Sequence, residues 1–284
     1  MSCFSLKGED KVDYINRLST NNFSDFKNGE FKWTFFTNEK GKIIDLCLVL
    51  FFENELILLG TKEYNENLKY HLEKFIFTED ISISDSKKFD TIVINFNTNY
   101  SENPLENNSE LFSLHPDNKL CSIPNQFVDN AFFFVYDSVN FDYSFFNKFR
   151  AINTDEYDKY RIVSKIPETG KEITNKVTPL ECLLDKFVSF TKGCYIGQEV
   201  LTRLNSQNKL PKIFKRFSIE ANYKFENKVF SLNNNSEEEC GYITTKILDK
   251  NYYNCLGFIK NKFISEDLKF FVKANNQNLF INFY

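Results

Sequence analysis

The chain has 284 residues, 42% hydrophobic and 26% charged, an ordinary globular composition long enough for one large domain or two smaller ones. A formal net charge of −4 and a pI near 5.5 exclude a protein that holds nucleic acid mainly through backbone charge, which needs a strong positive field. Phe (33) and Tyr (14) are abundant alongside Asn, Lys and Ile, all residues with A/T-rich codons, so aromatic runs read as core and not as platforms for stacking bases.

The first ten residues carry neither a charged-then-apolar signal nor an Arg-rich import pattern, and a cytoplasmic protein is expected. Asp10 to Leu18 places Val12, Ile15 and Leu18 at helical spacing. Ile43 to Phe52 is a nearly continuous apolar run, the mark of a strand buried on both faces. Its apolar stretch from Leu46 to Phe52 is too short to span a bilayer. Glu55 to Gly60 reads as a second strand, and Thr61 as the cap of a helix whose apolar face is Tyr64, Leu68, Leu72 and Phe75. Ile81 and Ile83 alternate with serines in a third strand. This strand–strand–helix–strand order is that of an α+β sheet with helices on one side. Asn97 to Asn130 is polar, with Pro104, Pro116 and Pro124, and reads as loops around short strands. A strand is expected at Ala131 to Tyr136 and a helix at Asp155 to Val163, broken by Ile166 to Gly170. Phe187 to Phe190 reads as a strand, Thr191 to Gly193 as a turn, and Gln198 to Leu204 as a helix. Beyond Pro211 come six short apolar segments, Ile213–Ile219, Lys228–Ser231, Gly241–Ile247, Tyr252–Ile259, Leu268–Val272 and Leu279–Phe283, several of them separated by Asn-rich turns. They suggest a small β-barrel, with domains at 1–210 and 211–284.

Seven cysteines, at 3, 47, 121, 182, 194, 240 and 255, show no C-x-x-C spacing, which fits reduced thiols and no metal site. Cys47, Cys240 and Cys255 fall in predicted strands and read as core. Two histidines, His71 and His115, offer little for a histidine-based site. Asp45 lies inside an apolar strand, where a carboxylate needs a partner; a structural and a cavity-facing role are both open. Cys194 sits on the turn before the last predicted helix. A thiol acts only as thiolate, and the charge of Lys192 and nearby helix amides would favour that form. Gly193 and Gly197 permit close backbone approach, Gln198 offers donor and acceptor to a heterocyclic edge, and Glu199 suits a helix start.

The string Lys192-Gly193-Cys194-Tyr195-Ile196-Gly197-Gln198-Glu199 resembles, residue for residue, the K-G-C-[YF]-x-G-Q-E signature of the YgfZ family. Further similarity lies in Thr37 to Ile43, in Arg161-Ile162 with Ile166-Pro167 and Gly170, in Pro179-Leu180-Glu181, in Gln198-Glu199-Val200 with Arg203-Leu204, and in Gly241 to Thr245 with Leu256-Gly257. The resemblance implies an α+β, GcvT/YgfZ-like folate-binding body with a C-terminal six-stranded β-barrel. It also implies tetrahydrofolate as ligand, and an accessory role, non-catalytic or weakly catalytic, in assembling or repairing iron–sulfur proteins. Members have a link to tRNA modification through such client enzymes. Carried over, Cys194 is the essential thiol and Lys192 its electrostatic neighbour. Asp45, Tyr195, Gln198, Glu199 and Arg203 are expected around a tetrahydrofolate-sized cavity. The partners implied are the folate and iron–sulfur clients, without direct nucleic-acid or membrane binding.

Two other readings stay open. The glycine-cleavage T-protein branch, a tetrahydrofolate-dependent aminomethyl- or methyltransferase, shares the fold but carries distinctive carboxylates. Its G-x-x-x-D-D segment reads here Gly41-Lys42-Ile43-Ile44-Asp45-Leu46, with one acid kept, and its L-R-x-E-x-G segment reads Tyr160 to Lys165, with Val163 at the acid and Lys165 at the glycine. Valine can neither hold a pterin N–H edge nor move a proton. A thiol-redox enzyme would need a resolving thiol, for which Cys182 is the nearest in sequence.

Overall fold

The computed structural model describes residues 1–86, 89–95, 113–114, 120–124, 126–127, 131–137, 139–148, 150–220, 224–233, 236–264, 268–274 and 277–284. His115 and most of the polar 97–130 stretch fall outside them. The chain divides into two compact units, Met1–Arg150 with Lys186–Gln198, and Ala151–Asp185 with Glu199–Tyr284.

The first unit opens with β1 (Ser2–Lys7), α1 (Lys11–Leu18), β2 (Phe31–Thr37), β3 (Ile43–Phe52), β4 (Glu55–Gly60), α2 (Asn65–Glu73) and β5 (Ser82–Asp85). The strands form one antiparallel sheet in the order β2-β3-β4-β1-β5. The period of two in β3 explains its unbroken apolar run. Cys47 and Val49 face one side with Tyr14, Ile15 and Leu18 of α1 and Leu68 and Leu72 of α2, while Leu48 and Leu50 face the other. Both helices therefore lie on one face, as their spacing predicts. The opposite face is covered by a second sheet, β6 (Phe89–Asn95), β7 (Ser113–Leu114), β8 (Leu120–Pro124) and β9 (Ala131–Asp137), in the order β6-β9-β8-β7. Val135 and Phe89 pack there against Leu48 and Leu50.

Two local expectations are corrected. Thr61 makes no side-chain cap; a 3₁₀ turn, Lys62–Tyr64, leads into α2 instead. Both the N–H and the side chain of Thr61 are taken by the Asp45 carboxylate. Phe187 to Phe190 is not a strand: Asp185–Phe187 is a 3₁₀ turn and the chain then runs irregularly. Its backbone groups pair with a loop, since the Thr20 hydroxyl donates to the Phe187 carbonyl at 2.8 Å and Ser189 N–H donates to the Thr20 carbonyl at 2.8 Å. The Phe187 ring meets the rings of Trp33, Phe35 and Phe127, so its apolar character fills a pocket and not a ladder position.

The second unit holds α3 (Thr154–Val163), α4 (Gln198–Gln207, from its second residue onward) and the strands β10 (Lys212–Glu220), β11 (Lys228–Asn233), β12 (Ser236–Asp249), β13 (Tyr252–Lys260), β14 (Lys269–Ala274) and β15 (Gln277–Phe283). The six strands close an antiparallel barrel in the order β10-β13-β12-β11-β14-β15 around Phe217, Ile219, Val229, Ile243, Cys255, Val272 and Ile281. A capping box starts α3: Asn153 accepts from Glu156 N–H at 2.9 Å, and the Glu156 carboxylate accepts from Asn153 N–H. At its other end Ile166 N–H reaches the Arg161 carbonyl and Lys165 N–H the Ile162 carbonyl, the Schellman pattern, with Lys165 at φ 56°. Among the described residues no helix is long and apolar enough to cross a membrane.

Candidate functional site

The loop that carries the signature is fastened to the first unit at two places. The first is Lys192. Its ammonium donates to the carbonyls of Asn16, Ser19 and Asn21 at 2.6, 2.5 and 2.6 Å, and lies 4.8 Å from the centre of the Tyr195 ring. These carbonyls belong to the last turn of α1 and the chain just after it, where a helix leaves acceptors unfilled and favours a cation. Burial, with the nearby Lys32 charge, pushes Lys192 down to about 7.

The second fastening is Ile196-Gly197. The Thr37 hydroxyl donates to the Ile196 carbonyl at 2.7 Å, and the Ile196 side chain packs on the helix-side core. Gly197 has φ 84°, and a Cβ there would lie 2.6 Å from the Asn38 carbonyl oxygen and 2.8 Å from Thr37 Oγ1. Only glycine fits both the left-handed backbone and this approach. The signature thus rests on the Thr37 to Ile43 segment, the other N-terminal stretch with family resemblance. Between the fastenings Gly193 and Cys194 face solvent. A Cβ on Gly193 would meet nothing within 4 Å, and Cys194 is exposed. Cys3, Cys47, Cys182, Cys240 and Cys255 are buried. The thiol of Cys182 points to the Glu172 carbonyl at 3.8 Å.

Tyr195, beside the exposed thiol, is buried. Its hydroxyl has no hydrogen-bond partner among the described residues, and burial pushes it up to about 12. Gln198 is half-buried and its backbone N–H donates to the Tyr195 carbonyl at 3.2 Å. Glu199 and Arg203 lie in the second unit, one turn apart on α4 and both exposed.

Asp45 is fully buried in β3. One carboxylate oxygen accepts from Leu46 N–H at 2.9 Å, the other from Thr61 N–H at 2.8 Å, with the Cys47 thiol at 3.8 Å. Gly60 leaves it room: a Cβ there would fall 2.5 Å from Asp45 Oδ2. Burial outweighs these bonds and pushes the carboxyl up to about 6. His71, on α2, is also buried, between the rings of Phe36 and Phe75, and burial pushes it down to about 4.

A buried network in the second unit was not foreseen. Arg161 is wholly buried at the end of α3 and pairs with Glu172 at 2.8 Å, with Glu168 at 3.1 Å, and with Asp158. Burial opposes its charge, but Glu172, Asp158 and Glu168 outweigh burial and raise its pKa. Glu172 Oε1 accepts from the hydroxyls of both Thr244 and Thr245 on β12, and Thr245 also meets Arg161. The family-like stretches around Arg161 and Thr244-Thr245 therefore meet at Glu172. Val163 is exposed, and its carbonyl accepts from Arg216 at 3.0 Å. Lys165 takes the left-handed backbone that a helix-ending glycine adopts most readily. No described group of three or more His, Cys, Asp or Glu side chains could hold a metal ion. A surface hollow of about 660 Å³, lined by Lys224, Phe225, Glu226, Lys273, Ala274, Gln277 and Asn278, contains none of the signature residues.

Among solved structures, the glycine cleavage system aminomethyltransferase T from Bartonella henselae matches with a TM-score of 0.80, covering 100% of this chain and 82% of that one at 12% identity. The fold is GcvT-like. In sequence, the chain is 24% identical over 241 residues to an aminomethyltransferase of Thermoanaerobacter pseudethanolicus, and 23% identical over 241 residues to that of a second Thermoanaerobacter strain. Each alignment covers 75% of this chain and 64% of the relative, so the match spans about 64% of the length of these curated proteins. No protein-family model matches the chain.

Proposed function

We propose that this chain is a folate-binding accessory protein of the YgfZ type, which acts through Cys194 in the assembly or repair of iron–sulfur proteins. The observation that carries this reading is an exposed thiol held between two fastened points of the Lys192 to Glu199 string. The GcvT-like fold and the aminomethyltransferase relatives support a reduced folate as ligand. Among the first-unit residues of the signature, the Gln198 side-chain amide and the open backbone at Gly193 are placed to meet such a ligand, while the Tyr195 hydroxyl is buried. The Asp45 carboxylate is buried and already accepts from the Leu46 and Thr61 N–H groups, which counts against its meeting the ligand. A bound tetrahydrofolate would supply one-carbon carrier chemistry.

In a strain lacking a YgfZ-type protein, the wild-type chain should restore an iron–sulfur enzyme and Cys194→Ala should not, with folding unchanged by circular dichroism. Full rescue by the variant would remove the thiol from the proposal. Tetrahydrofolate titrated into the purified protein should give a saturable heat; none at high micromolar ligand would remove the folate. The second reading, an aminomethyltransferase, is favoured by the names of the relatives. Against it stand the sealed Asp45 and the valine at 163. Turnover of an aminomethyl or methyl donor with tetrahydrofolate would select it.

A further inference from the structure

The geometry around Lys192 points to a second job within the signature. A primary ammonium has three N–H donors, and all three meet backbone carbonyls at 2.5 to 2.6 Å. Its remaining side is covered by the Tyr195 ring. No donor is left over for the sulfur of Cys194. The acceptors come from one short stretch, Asn16 to Asn21, that closes α1 and leads to Thr20, whose hydroxyl and carbonyl also hold Phe187 and Ser189. The arrangement is a carbonyl cage filled by a cation on a four-carbon tether.

We propose that Lys192 is a positioning residue, a tethered cation that plugs this cage and fixes the loop presenting Cys194, and that it does not activate the thiol. The cage would accept a free primary ammonium when the tether is cut. A guanidinium keeps the charge but is planar, and cannot direct donors at three converging carbonyls as an ammonium does. The inference stands on the cage and is independent of folate or iron–sulfur function.

The test uses the purified full chain as wild type, Lys192→Ala and Lys192→Arg, with loop exchange read at about pH 6, where Lys192 is the ammonium. Hydrogen exchange of the 188–197 amides reads the loop. The pH profile of iodoacetamide alkylation, localised to Cys194 by mass spectrometry, reads the thiol. In Lys192→Ala, loop exchange should rise by about tenfold or more. Millimolar n-propylammonium should restore protection, and tetramethylammonium at equal ionic strength should not. Lys192→Arg should lose protection although it keeps the charge. The midpoint of the alkylation profile should stay where it is in wild type. A profile displaced to higher pH in Lys192→Ala and restored in Lys192→Arg, with loop exchange unchanged, would overturn the proposal in favour of electrostatic activation. Equal rescue by both ammonium ions would also overturn it. If Lys192→Ala does not fold, Lys192→Arg decides alone: wild-type loop protection there refutes the cage.

Discussion

Replacing Asp45 by Asn should change how stability depends on pH, and the sign follows from burial. The Asp45 carboxyl is pushed up to about 6 in the folded chain from an ordinary value of 3.8. Folding therefore favours its protonated form, and the stability this contributes is fully present below pH 3.8 and is lost as pH rises through 6. Two pKa units at about 1.4 kcal/mol each give a swing of about 3 kcal/mol. His71 acts oppositely. It is pushed down to about 4 from 6.5, so its contribution is present above pH 6.5 and is lost as pH falls through 4. Between pH 4 and 6 the two slopes offset each other in the wild type. Asparagine removes the Asp45 slope. It also replaces one accepting oxygen by an amide, leaving the Leu46 or Thr61 N–H without its acceptor at a cost of about 1–2 kcal/mol. Measured by urea denaturation at successive pH values, Asp45→Asn should be more stable than wild type by about 1–2 kcal/mol at pH 8 and less stable by a similar amount at pH 4. A difference that stays constant from pH 4 to pH 8 would refute the reasoning.

Gly197→Ala should destabilise the first unit by about 3 kcal/mol, from a left-handed backbone and a Cβ pressed on the Asn38 carbonyl, which as backbone cannot swing away. The denaturation midpoint checks this, and an unchanged midpoint would contradict the close approach. Lys165→Gly should stabilise the chain by up to about 1 kcal/mol, because glycine takes the left-handed position after α3 without a Cβ penalty. A lower melting temperature would count against that account.

Much of the fold was legible because it is written in local periodicity. Ile43 to Phe52 and Glu55 to Gly60 agree with β3 and β4 to the residue. All six barrel strands were foreseen, since short apolar segments between turn residues leave few other solutions. β1 was missed although five of its six residues are buried, because Ser2 and Ser5 break its apolar pattern and their burial depends on strands far along the chain. Phe187 to Phe190 misled for the converse reason: aromatic residues at strand-like spacing can fill a pocket while a loop takes the backbone bonds. Within the candidate site, the exposed turn of Cys194 and the tight place of Gly197 could be anticipated. The cage around Lys192 could not, because sequence proximity suggested Cys194 as its neighbour while its acceptors lie more than 170 residues earlier. Glu172 gave no local signal either, as its partners on β12 lie 72 and 73 positions away.

Where β12 pairs with β13 it carries a bulge at Thr244, next to the threonines that reach Glu172. On a regular strand Thr244 and Thr245 would point to opposite faces. Here Ile243 opposes Gly257 and Thr245 opposes Leu256, so Thr244 is an extra residue, and both hydroxyls reach a single oxygen of Glu172. The strand is fourteen residues long, and a slip of one position along β13 would turn its barrel-facing residues outward. The same slip would carry one hydroxyl off Glu172. The extra residue works as a keyway: one alignment of the strand seats both threonines, and in seating them it locks the barrel's register and the Arg161 network together.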